Sequence, residues 1–171
     1  MARNHAKSPG IWLRFFKKDS GVATVTYQEA LEEALCYGWI DGQLKKFDEE
    51  SWQQRFTPRR ARSLWSKRNV GKAEALIEAG RMQAAGLKQI EAAKADGRWA
   101  KAYASPREMK VPEDFLEALA KDAKANAFFR TLNRANTYAI AWNLHNAKKA
   151  ETRERRMKKY LKMMRRGERL H

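Results

Sequence analysis

The sequence predicts an α+β fold, predominantly helical, in which a small antiparallel N-terminal sheet packs with helices and a C-terminal helical module follows. Three observations carry this expectation. Period-two apolar patterning is confined to the first third of the chain, apolar residues recur at helical spacing from there onward, and prolines 106 and 112 bracket a linker, Ser105 to Val111. The expected division is 1–104 for the mixed α+β part and 105–171 for the helical module, packed as one body. A chain of 171 residues can bury a real core, and 43% hydrophobic residues with four prolines and nine glycines exclude a disordered composition.

The elements follow in order. Ile11 to Phe16 and Val22 to Val25 are β-prone runs joined by Asp19-Ser20-Gly21, which predicts a hairpin. Thr26 and Glu29 have capping-box spacing, and Tyr27, Leu31, Ala34 and Leu35 recur helically, so a helix should run from Tyr27 to about Tyr37 and stop at Gly38. Trp39 to Phe47, the acidic turn Asp48-Glu49-Glu50 and Trp52 to Phe56 predict a second hairpin, with Trp52, Gln54 and Phe56 on one face and Pro58 at its end. Asn69 is the expected N-cap of a helix reaching Ala79 and stopped by Gly80, and Leu87, Ile90 and Ala93 mark another, stopped by Gly97.

Beyond the linker, Phe115, Leu116 and Leu119 open the helical module. Between Arg134 and Ala147, Tyr138, Ile140, Ala141, Trp142, Leu144 and His145 cover roughly 200° of a helix at about 100° per residue, which makes this helix the buried centre. In the last helix, Thr152 to Arg166, Met157, Tyr160, Leu161 and Met164 form a narrow apolar stripe. Arg155, Lys159, Lys162 and Arg166 line the opposite side. One face docks and the other is a basic ridge.

Charge is the outlier in composition: 36 Lys and Arg against 20 Asp and Glu give a formal net charge of +16. The excess is clustered. Arg55, Arg59, Arg60, Arg62, Lys67, Arg68 and Lys72 meet no acid within their segment, and Lys148 to Arg169 holds eleven bases against Glu151, Glu154 and Glu168. Such clustering is the footprint of a polyanion binder, and Phe56 and Trp65 add rings able to stack on bases or meet cations. The competing expectation is a solvated helix face and a core tryptophan. Zinc spacing, an RNP signature and a KH-type loop are missing, so nucleic acid would be held through phosphates.

Other chemistry is weakly supported. His5, His145 and His171 are scattered without carboxylates or thiols at metal-ligand spacing, so no metal or other cofactor is expected. Cys36, the single cysteine, excludes an internal disulfide and reads as an inert buried thiol. Asn69 to Ala73 resembles the end of a Walker A loop, but Ser66 and Ala73 occupy positions that need glycine and Ser/Thr. Asp41, beside Trp39 and Ile40, is the carboxylate of most interest, with an arginine as its ordinary partner. Arg153 falls on the docking side of the last helix and needs a carboxylate, a carbonyl or a ligand anion. Met1 to Lys18 has no apolar signal core, and no run approaches the ~18 residues that span a bilayer, so the expected location is cytoplasmic without a transmembrane segment.

Leu35-Cys36-Tyr37-Gly38-Trp39-Ile40-Asp41-Gly42, then Phe56-Thr57-Pro58-Arg59-Arg60 with Ser63-Leu64-Trp65-Ser66 and Asn69, then Ala147-Lys148 with Glu151-Thr152-Arg153 and Arg156, resemble the successive signatures of the YdeI/OmpD-associated, bacteriocin-protection family. The resemblance spans about residues 8 to 169 and implies a stress or envelope-protection role, a label that specifies no reaction. If the shared motifs mark one site, its anion-binding candidates are Trp39, Asp41, Arg59, Arg60, Ser63, Trp65, Ser66, Asn69, Glu151, Thr152, Arg153 and Arg156. The leading expectation is a non-enzymatic protein binding nucleic acid or another polyanion. The alternatives are an enzyme acting on a small anionic metabolite, with Asp41 as acid or base and Arg59, Arg60 and Arg153 as clamps, and a module that engages an acidic protein.

Overall fold

The computed structural model describes residues 1–171, which divide into two compact units, 1–103 and 104–171. In the first, strands β1 (Ile11–Phe16), β2 (Trp39–Lys46) and β3 (Ser51–Pro58) form an antiparallel sheet in the order β1-β3-β2. Helix α1 (Tyr27–Cys36) lies between β1 and β2 in sequence, and α2 (Lys67–Glu78) and α3 (Ala84–Ala95) pack against it.

The hairpin expected around the acidic turn is present as β2 and β3. Its register pairs Asp41 with Phe56 and Lys46 with Trp52, with an irregularity between Asp41 and Leu44. The first expected hairpin is not formed. Phe15 pairs with Trp52 of β3, and their rings stack at 4.6 Å, while a short 3-10 turn at Lys18–Ser20 carries the chain away from the sheet. Val22 and Val25 remain exposed, so the β-propensity of that run finds no apolar face to cover.

Helix α1 begins as the sequence dictates, with both halves of the Thr26–Glu29 capping box in place. It ends at Tyr37, and Gly38 takes the left-handed φ of 74° needed to redirect the chain into β2. Its buried face, Leu31, Ala34, Leu35 and Cys36, meets Phe15, Trp39, Phe56, Trp65, Ala73 and Ile90 in one core. Close approach of α3 is permitted by Gly86, where a Cβ would stand 2.4 Å from the Cys36 carbonyl oxygen. Helix α2 starts earlier than Asn69 suggested. Ser66 is the N-cap, its side-chain oxygen accepting from the Asn69 N–H at 3.1 Å, because Ser66 holds the extended backbone that a cap requires.

In the second unit, α4 (Glu113–Ala120), α5 (Ala123–Phe129), α6 (Arg134–His145) and α7 (Ala150–Arg166) enclose a core of Phe115, Leu119, Ala125, Ile140, Leu144, Tyr160 and Met164. Within α6, Asn136, Ile140, Ala141 and Leu144 are buried, whereas His145 is exposed at the rim with Nε2 3.0 Å from the Lys110 carbonyl oxygen. Buried Asn136 ties down the C-terminal residues: its side-chain oxygen accepts from Leu170 N at 2.8 Å and His171 N at 3.1 Å. No helix is long and apolar enough to cross a membrane.

Candidate functional site

Electrostatic interactions link five side chains of the first unit: Tyr27 feels Asp41, Arg68 and Tyr103, and Arg59 feels Asp41 and Tyr103 together with the like charge of Arg98. Local structure brings each there. Tyr27 opens α1, and Asp41 shares the core-facing side of the sheet with Phe56, so the Tyr27 hydroxyl donates to Asp41 Oδ2 at 2.7 Å. Burial, and then the hydrogen bond to Asp41, raises the Tyr27 pKa far above its ordinary value, keeping the phenol protonated and donating.

Arg59 follows β3, its backbone N–H held by the Gly38 carbonyl oxygen at 3.0 Å. Only 6% of it is exposed. Its guanidinium lies over the Trp65 ring, 3.6 Å from the centroid, and Nη1 donates to the Leu64 carbonyl oxygen at 3.2 Å. Nε and Nη2 are buried without a hydrogen-bond partner, as is the indole N–H of Trp65. Burial pulls the Arg59 pKa down to about 10, partly opposed by Tyr103 and Asp41, so the group remains a cation at neutral pH.

Ser66 and Tyr103 close the cluster through a parallel bridge in which Tyr103 N donates to the Trp65 carbonyl oxygen at 2.9 Å and Lys67 N donates to that of Tyr103 at 2.8 Å. Burial and then Asp41 raise the Tyr103 pKa, with Arg59 opposing them. Arg98 supports the wall, donating from Nη1 to the Ser63 carbonyl oxygen at 2.8 Å, and Trp99 meets Trp65 edge-on at 4.7 Å.

Of the residues singled out by sequence, Asp41, Arg59, Trp65 and Ser66 belong to this cluster. Trp39 is core, its indole N–H donating to the His5 carbonyl oxygen at 3.1 Å. Asn69 is buried in the first turn of α2. Ser63 Oγ accepts from the Arg60 N–H at 3.1 Å in the preceding loop, and the Arg60 side chain is exposed without an ion pair. Trp65 and Phe56 are 2% and 1% exposed, which removes both as platforms for stacked bases.

In the second unit, Arg153 grips Asp114 with both terminal nitrogens, Nη2 to Oδ1 at 2.8 Å, which supplies the carboxylate that its inward position requires. Arg156 donates to the Asn143 carbonyl oxygen, Thr152 is half-buried and Glu151 is exposed in the first turn of α7. The ridge residues Arg155, Lys159, Lys162 and Arg166 are all exposed. Arg166 approaches Glu168 at 3.8 Å, and the other three make no ion pair.

Sequence reasoning counted Arg68 only among the bases of the first basic segment and missed Tyr27 and Tyr103 as site residues. Tyr27 read as one more apolar helix residue, and Tyr103 lies in an irregular segment with no local pattern. Among His, Cys, Asp and Glu no group of three or more is placed to hold a metal ion. Cys36 is buried, and burial raises its thiol pKa, as an unreactive core cysteine requires.

Residues 1–89 match the family model described as a domain of unknown function (DUF8412). Residues 108–167 match the family described as bacteriocin-protection, YdeI or OmpD-associated. Comparisons with curated proteins and with solved structures gave no match. The chain therefore belongs to the DUF8412 family, and its C-terminal helices match the YdeI/OmpD-associated, bacteriocin-protection family.

Proposed function

We propose that this chain is a non-enzymatic, polyanion-binding protein of stress or envelope protection, and that the outer face of α7 makes the contacts. The single observation behind this reading is the ridge formed by Arg155, Lys159, Lys162 and Arg166. At about 100° per residue these four fall within roughly 60° of one another, on the side opposite Tyr160 and Met164, and all are exposed. A rise of about 1.5 Å per residue spreads them over roughly 16 Å. Four cations along one edge, three of them without an acid partner, create a local positive potential able to displace counterions from a phosphate backbone.

The first basic segment contributes less than its composition implied. Arg59 points into the core cluster, Lys72 lies 3.8 Å from Glu32, and Arg55 projects from the sheet face opposite Phe56. Their charges diverge, so the reading rests on α7. Contacts of this kind grip phosphates with little sequence preference.

Titration of nonspecific duplex and single-stranded DNA at two salt concentrations tests it. Engagement of all four ridge residues gives a log–log slope of about −3.6 on duplex, at about −0.9 per phosphate. Reversing Lys159 and Lys162 to Glu should abolish binding without altering the Tyr160–Met164 seam. Unchanged affinity in that variant, or no binding at low salt, removes the proposal.

A further inference from the structure

We propose that Arg59 is the receptor for the carboxylate of a small hydroxy- or amino-carboxylate, bound inside the first unit and independent of the α7 ridge. The two unpaired nitrogens of its guanidinium, Nε and Nη2, share one edge of the planar group and point their hydrogens in parallel. That edge is the fork that a carboxylate or phosphate meets with two hydrogen bonds. Nη1 is already committed to Leu64, and the Trp65 face fixes the plane of the group, so the fork is held ready and cannot turn to find another partner.

The surroundings define what is missing. Three buried donors without an acceptor, the two Arg59 nitrogens and the Trp65 indole N–H, sit on two side chains that stack on one another. A buried cation left unpaired is costly, and the carboxylate within its electrostatic range, Asp41, is held by Tyr27 rather than by Arg59. The N-terminal end of α2, capped by Ser66 beside Trp65, adds partial positive charge. An oxoanion therefore answers both Arg59 donors at once. The depth of Arg59 excludes a polymer backbone and restricts the ligand to a small molecule.

Asp41 selects among oxoanions. A dianionic phosphate beside this carboxylate meets stronger repulsion than a monoanionic carboxylate does. A hydroxyl or ammonium on the neighbouring carbon would instead donate to Asp41 and turn repulsion into a hydrogen bond. Asp41 and Tyr103 are both partly exposed, so the cluster reaches solvent on their side.

The test uses the 15N-labelled full chain and follows the Arg59 Nε–H resonance, identified through its bonds to the Arg59 backbone, during titration with glycolate, acetate and inorganic phosphate. The expected result is a saturable shift with glycolate at roughly five-fold lower concentration than with acetate, the equivalent of about one hydrogen bond. Asp41→Ala should erase that difference, with acetate binding at least as tightly as in the wild type because the repulsion from Asp41 is gone. The Lys159→Glu/Lys162→Glu variant should titrate as the wild type does, which separates this site from the polyanion surface. A saturable shift with phosphate alone overturns the carboxylate assignment, and a linear or absent response to all three overturns the site.

Discussion

The phenol of Tyr27 donates to Asp41 Oδ2 at 2.7 Å, joining the first turn of α1 to strand β2 across 14 residues of sequence. This bond fixes the orientation of the one carboxylate in the Arg59 cluster. Tyr27→Phe deletes it with almost no change of shape, and a loss of about 1 kcal/mol is expected in urea unfolding at neutral pH. The pH dependence has a definite sign. Tyr27 has a raised pKa in the folded state, so its contribution is complete below the unfolded value of about 10 and disappears as pH rises above it. The wild type and Tyr27→Phe stability curves should converge on the alkaline side; a constant gap at every pH would contradict the role assigned to the phenol.

Glycines 86 and 71 make a matched pair. Both lie within helices, where alanine is favoured over glycine by about 1 kcal/mol. A Cβ at Gly86 would stand 2.4 Å from the Cys36 carbonyl oxygen and 2.8 Å from that of Leu35, whereas one at Gly71 meets nothing within 4 Å. Gly86→Ala should destabilise by about 1–3 kcal/mol as α1 and α3 are pushed apart, and Gly71→Ala should stabilise. Thermal unfolding of the two variants gives opposite shifts if the close helix contact is as described.

Asn136 is buried and uses both ends of its amide, accepting from Leu170 and His171 and donating to Asn133 Oδ1 at 2.8 Å. Asn136→Ala strands two backbone donors and should cost about 1–3 kcal/mol. It should also free the tail, seen as faster amide exchange at Leu170 and His171. Unaltered exchange there would mean that the tail is held by something other than this side chain.

Asp114 and Arg153 pair on the half-exposed surface of the second unit, and the Arg153 hydrogen bonds hold the Asp114 carboxyl below its ordinary range. A lowered folded pKa stabilises above the unfolded value of about 3.8 and is lost as pH falls below it. Asp114→Asn should therefore lower Tm modestly at pH 7, by an amount reduced through solvent screening, and by progressively less below about pH 4. High salt at neutral pH should shrink the same gap.

Much of the architecture was legible because it is encoded locally. Thr26 and Glu29 cap α1 through atoms three residues apart, Gly38 alone tolerates the positive φ that ends the helix, and the spacing of Tyr160 and Met164 against Lys159 and Lys162 fixes which side of α7 faces water. The same local logic failed where pairing is nonlocal. Val22 to Val25 has strand propensity but no partner, since β3, from residues 51–58, already covers Phe15.

By itself, the sequence determined the α+β class, the C-terminal basic ridge and the likeness of the C-terminal helices to the YdeI/OmpD-associated family, because periodicity, capping and motif order need no knowledge of contacts between distant residues. Only the tertiary structure decided that Arg59 is buried with its fork unpaired, that Trp65 lies beneath it and that Tyr27 and Tyr103 join Asp41 there. The physical reason is that burial and the direction of a hydrogen-bond donor depend on which segments meet in space, and residues 27, 41, 59 and 103 meet only when the sheet and its helices have closed around one core.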